Sequence, residues 1–143
     1  MLVAYTHALD AGDWVALEEC FTPDATTDYG EFGGGNANRA EIVDTCRTAM
    51  APIQASQHLV SNVSIEVDGD EATSVCYLSG LNATKGTPGG DECTVYGTYR
   101  DRLVRTPDGW RIAHRALEIV WFAGNPMVMT GATEAAAARD RGE

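Results

Sequence analysis

The chain has no apolar run approaching the roughly 18 residues that a membrane-spanning helix requires, so no membrane span is expected. Positive charge is scarce. Ten Lys and Arg face 21 Asp and Glu, a formal charge of -11, which repels phosphate backbones and anionic lipid surfaces and argues against nucleic acid and membrane partners. Cysteine is sparse and unpatterned: Cys20, Cys46, Cys76 and Cys93 form no C-x-x-C pair and have no histidine cluster nearby. Neither a zinc site nor a redox motif is expected, and the four read as reduced core thiols. The start, "MLVAYTHALD", lacks the basic, apolar and small-residue order of a secretory signal, which points to a cytoplasmic protein. There is no internal repeat.

What is present suits one globular domain. The chain of 143 residues is 44% hydrophobic and 22% charged, enough to enclose one core with a pocket inside it. "LVAYTHALDAGDWVALEECF" has helical periodicity broken at Ala11-Gly12, with Asp13 placed to cap a second helix carrying Trp14, Leu17 and Phe21 inward. A turn-rich stretch follows, whose middle reads as a short strand and whose "GGGNAN" reads as a flap. Asn38 then caps "RAEIVDTCRTAM", with Ile42, Val43, Cys46 and Met50 on one face and Pro52 ending the helix. Beyond it the period changes to two. "DGD" at Asp68 to Asp70 joins His58–Val67 to Ala72–Ala83, and "TPDG" joins "CTVYGTYRDRLVR" to "WRIAHRALEIVWF". Three helices and four long antiparallel strands predict an α+β domain with helices on one face of a curved sheet, over residues 1–125, and a tail over 126–143 that reads as a frayed helix or an arm.

Chemistry concentrates in "SQHLVSN". Strand alternation puts His58, Val60 and Asn62 on one face, a mixture that suits a small-molecule pocket, and Leu59, Val63, Ile65 and Val67 on the other. The plainer alternative is a structural histidine at a strand edge. Asp10 ends the first helix, where its carboxylate meets the negative end of the helix dipole; a solvated turn acid is the plainer alternative there.

The runs "YTHALDAGDW…FTPDATTDYG", "SQHLVSN", "DGDEATSVCYLSG" and "YRDRLVRTPDGWRIAHRALEIVWFAGN" resemble the SnoaL-like branch of the NTF2-like superfamily, nearest to the scytalone dehydratase, bile acid 7α-dehydratase and hexachlorocyclohexane dehydrochlorinase group. The resemblance covers Leu2 to Asn125. It implies a cone of three helices on a strongly curved, mainly antiparallel sheet enclosing a pocket, and self-association as a dimer or trimer through the outer sheet face. It also implies catalytic roles for Asp10 and His58 as a dyad, with Tyr29 and Tyr5 at the positions of pocket tyrosines. In such a dyad the carboxylate fixes the imidazole tautomer and leaves the second nitrogen facing substrate as a general base. Where scytalone dehydratase has a second pocket histidine, this chain offers Asn82, which orients but does not exchange protons.

Val60, Asn62, Asn82 and Trp121 are the expected substrate-binding residues. His7 reads as a surface helix histidine, His114 as structural, Arg115 as the partner of a surface carboxylate ahead of an acidic substrate group, and Trp110 as packing, while "GGGNAN" lacks the pattern of a phosphate loop. Two functions stay open: a cofactor-independent and metal-independent lyase or isomerase acting on an apolar cyclic molecule, or a binding or assembly module of the same fold. A polyketide cyclase shares the general base and is a third possibility.

Overall fold

The computed structural model describes residues 1–131 and 141–142. Most of the expected tail, residues 132–140, therefore lies outside the described residues. Three helices and a six-stranded sheet of order β2-β1-β6-β5-β4-β3 make up an α+β fold.

Helix α1 (Leu2–Ala11) buries Tyr5, Ala8 and Leu9 along one stripe. It stops at Gly12, whose left-handed backbone lets the Gly12 and Asp13 N–H groups close on the Leu9 and Ala8 carbonyls. Asp13 accepts from the Ala16 N–H at 3.0 Å and starts α2 (Trp14–Glu19). Phe21 does not continue that helix: it opens strand β1 (Phe21–Asp28), because β1 pairs in parallel with β6 and so fixes this segment as extended. A 3-10 turn (Gly30–Phe32) follows β1, and the glycines expected as a flap enter the short strand β2 (Gly34–Asn36), paired with β1. Asn38 caps α3 (Arg39–Met50) by accepting the Glu41 N–H, while the Glu41 carboxylate reaches back to the Ala37 N–H.

Strands β3 (Ala55–Asp68), β4 (Glu71–Ala83), β5 (Glu92–Thr106) and β6 (Gly109–Gly124) form the antiparallel bulk of the sheet, with turns where "DGD" and "TPDG" place them. On β4 the alternation is regular: Ala72, Ser74, Cys76, Leu78, Gly80 and Asn82 face the core. All four cysteines are free thiols and buried. Among the described residues no helix is long and apolar enough to cross a membrane.

Three bulges reset which residues face inward. On β3 an extra residue between Ser61 and Ser64, with Asn62 in the left-handed region at φ 52°, reverses the parity. Ile65 and Val67 therefore pair with buried Ser74 and Ala72 on the His58 side of the sheet, while Leu59 stays on the opposite face, so the four residues expected together are divided. On β6 extra residues at Ala113 and Val120 do the same.

After Gly124 the chain turns into a second 3-10 turn (Pro126–Thr130) that buries Val128 against the body of the fold.

Candidate active site

Asp10 receives three hydrogen bonds. The His58 ring Nδ1 lies 2.5 Å from its Oδ1, the Ser56 hydroxyl donates to the same oxygen at 3.0 Å, and the His58 backbone N–H donates to Oδ2 at 2.8 Å. These offset the unfavourable placing of a carboxylate at the end of α1 and pin β3 to that helix. A carboxylate only accepts, so Nδ1 carries the proton and the lone pair of the neutral ring sits on Nε2. Nε2 makes no hydrogen bond among the described residues, and His58 lines the cavity. The ring rests on Gly80, directly opposite on β4: a Cβ there would lie 2.8 Å from Cδ2 and 3.1 Å from Nε2. Only a residue without a side chain lets the imidazole lie in this position.

The cavity runs between α1, α3 and the inner sheet face. Leu9, Phe32, Ala49, Met50, Leu78, Val95, Leu117 and Met129 make its apolar wall, and Tyr5, Tyr29, Thr45, Cys46, His58, Asn82 and Tyr99 supply its polar groups. It encloses about 80 Å³, less than an engineered, benzene-binding cavity of roughly 150 Å³. A ring compound therefore enters only if flexible groups such as Met50 and Met129 give way.

The Tyr5 and Tyr29 hydroxyls are 2.9 Å apart, and the Tyr5 hydroxyl is 3.9 Å from the Cys46 sulfur. Two phenols own two protons and spend one between them, so one remains to donate elsewhere. Burial pushes both phenols well above their usual range, and the neighbouring Cys46 adds to this. They are neutral donors at physiological pH.

Beneath them lies a second carboxylate, paired with a buried cation. Arg115 donates through Nε and Nη2 to the two carboxylate oxygens of Asp101, both at 2.8 Å, and both side chains are fully buried. Its guanidinium is 4.4 Å from the Tyr5 ring centroid and 3.8 Å from that of Tyr99. Burial pulls the Arg115 guanidinium down, but the Asp101 carboxylate outweighs it and keeps the charge in place. Arg115 is thus no partner of a surface carboxylate. Counting back from the "TPDG" turn without a bulge pairs Asp101 with His114; the extra residue at Ala113 brings Arg115 there instead.

The structure brings Asp10, His58, Tyr5, Tyr29 and Asn82 to one place. It places Val60 half-buried against the core outside the cavity lining, and Asn62 exposed in the β3 bulge. Trp121 lies on the outer face, 69% exposed, because the bulge at Val120 hands the inward position to Phe122, which packs on Phe32. His7 is exposed, and His114 bonds the Thr26 hydroxyl at 2.6 Å. Sequence reasoning missed Ser56, which a period of two puts on the face of His58, Cys46, which read as a core thiol, and Tyr99, which was not singled out. Among the described residues no group of three or more His, Cys, Asp or Glu side chains is placed to hold a metal ion.

Residues 1–116 match the model of the SnoaL-like domain. The chain belongs to the SnoaL-like family. A relative, the uncharacterized protein Rv2910c of Mycobacterium tuberculosis, is 34% identical over 122 residues, spanning 80% of this chain and 78% of that protein. Among solved structures, a candidate aromatic ring hydroxylase from Novosphingobium aromaticivorans has a TM-score of 0.78 at 26% identity, over 92% of this chain and 91% of that one. A candidate scytalone dehydratase from the same organism has a TM-score of 0.77 at 20% identity, over 87% of this chain and 82% of that one. The latter likeness is one of fold.

Proposed function

We propose that this SnoaL-like protein is a cofactor-independent lyase of the dehydratase type, or an isomerase, acting on a small, mostly apolar ring ketone, with His58 as general base. The observation that carries the reading is one imidazole: its Nδ1 is tied to Asp10, and its Nε2 is unbonded at the wall of an apolar cavity. Nε2 takes a proton from carbon beside the carbonyl, and the electron pair moves to the carbonyl oxygen as an enolate. The spare phenol proton of the Tyr5 and Tyr29 pair hydrogen-bonds to that oxygen as charge develops, while Asp10 stabilises the imidazolium. The enolate then reforms the carbonyl and expels a β-hydroxyl, which leaves as water with the proton His58 returns. In the isomerase variant the proton returns to another carbon of the ring system.

Support comes from the SnoaL-like family and from the shared fold with a protein whose name is that of a dehydratase. The proposal includes a cytoplasmic dimer or trimer joined through the outer sheet face, where Leu59, Tyr96 and Trp121 form one exposed row across the strands. Elimination of water from β-hydroxy ring ketones, followed by the absorbance of the enone, tests the reaction. Turnover by the wild type that His58→Gln loses supports it. Tight ligand binding with no turnover across the panel would replace the enzyme with a binding module of the same fold.

A further inference from the structure

Asn82, expected from the sequence to bind substrate, carries a hydrogen-bonding demand that the fold leaves unmet. It is 1% exposed, on the inward face of β4 two residues beyond the Gly80 that carries the His58 ring. Its Nδ2 donates to the Gly80 carbonyl at 3.2 Å. A carbonyl only accepts, so this bond fixes which end of the amide is nitrogen and leaves Oδ1 as the other. Oδ1 is shielded from solvent and has no hydrogen-bond partner among the described residues. A buried amide oxygen without a donor is destabilising, and a leucine at the same inward position would carry no such penalty. The fold itself supplies no donor among the described residues, and a hydroxyl of a molecule in the cavity that Asn82 lines would supply one.

The other polar groups define what that molecule looks like. The Thr45 hydroxyl is already spent on Asn36, the phenols offer a donor, and His58 offers a lone pair. We infer that Asn82 is a specificity-determining residue whose Oδ1 accepts a hydrogen bond from a hydroxyl that the ring ketone keeps through the reaction. The substrate class is then a hydroxylated cyclic ketone, with its carbonyl toward Tyr5 and Tyr29 and a separate hydroxyl toward Asn82. An amide oxygen cannot give a proton, so it does not assist a departing hydroxide; the hydroxyl it holds is one that stays. The inference rests on the reading of the cavity as a ligand site.

The test is binding by calorimetry of 1-tetralone and its monohydroxy derivatives to the wild type and to Asn82→Leu, with Asn82→Ala as a second variant should leucine prevent folding. The wild type is expected to prefer at least one hydroxytetralone over the parent by tenfold or more, and the variant to bring that ratio to within about twofold while still binding 1-tetralone. An unchanged ratio in the variant, or no preference in the wild type, overturns the inference and leaves the general-base reading standing. Failure of every tetralone to bind overturns the ligand-site reading and the inference together. A ratio that behaves as expected in a protein without turnover would keep the recognition and remove the catalysis.

Discussion

Asp10 and Asp101 each hold a basic side chain beside the same cavity, yet they differ in almost every physical respect. Asp101 grips Arg115 through two parallel bonds, and neither side chain is exposed at all. Asp10 holds a histidine by one ring nitrogen, with the two side chains 21% and 9% exposed, and spends its remaining capacity on Ser56 and a backbone N–H. A guanidinium cannot release its proton in the physiological range, so the inner pair is a fixed charge that shapes the floor under Tyr5 and Tyr99. An imidazole gains and loses a proton near neutrality, so the outer pair is the one equipped for transfer. The outer pair leaves an imidazole nitrogen free at the cavity wall, as general-base chemistry requires; the inner pair is sealed from solvent, with two guanidinium nitrogens held by Asp101 and Nη1 without a hydrogen-bond partner among the described residues.

The comparison is sharpest when each pair is broken. Asp101→Asn leaves the Arg115 charge buried without its counter-ion, and the expected loss is about 3–5 kcal/mol of unfolding free energy, read by urea denaturation. His58→Gln, by contrast, is expected to change stability little and to lower turnover by about 10²–10⁴-fold. A variant of Asp101 that folds as well as the wild type would erase the distinction.

The buried phenols between the pairs give a pH signature. Burial raises Tyr99 from 10.0 to about 12 in the folded chain. A phenol that ionises later when folded contributes stability that is fully present below pH 10 and lost as pH rises through 12. With about 1.4 kcal/mol per unit, the contribution is about 3 kcal/mol. Denaturation curves between pH 10 and 12 are expected to show falling stability, with a shallower slope in Tyr99→Phe; equal slopes would argue against a sealed phenol.

The smallest expected effect comes from Gly80→Ala, which touches only the outer pair. Its methyl group would collide with the His58 ring, so the imidazole must tilt, and turnover is expected to fall about tenfold at nearly unchanged stability. Unaltered kinetics would mean that the ring position is not constrained from below.

How much of this was legible in the sequence depends on how local each feature is. Helix starts at Asp13 and Asn38 and the turns at "DGD" and "TPDG" follow from residue chemistry over a few positions, and the structure has them there. Asp10, His58, Tyr5 and Tyr29 were reached through the family likeness. The meeting of Asp10 and His58, 48 residues apart, depends on how α1 packs on β3, which no local pattern encodes. Most of the misplaced residues share one cause; Val60 does not, since it precedes the β3 bulge, keeps the inward face of His58 and falls outside the cavity lining. Asn62, Ile65, Val67, Trp121 and the partner of Arg115 all lie within or beyond a bulge, where one inserted residue reverses an alternation that had been counted correctly up to that point. Phe21 was assigned to a helix because its strand is defined only by pairing with β6, some 90 residues later.

The central claim, that His58 takes a proton from carbon, is tested most directly by proton NMR of 2-tetralone in deuterated buffer. The wild type is expected to speed α-hydrogen exchange well beyond buffer, and His58→Gln and Asp10→Asn to lose most of that acceleration. Exchange no faster than in buffer, or equally fast with His58→Gln, would contradict it.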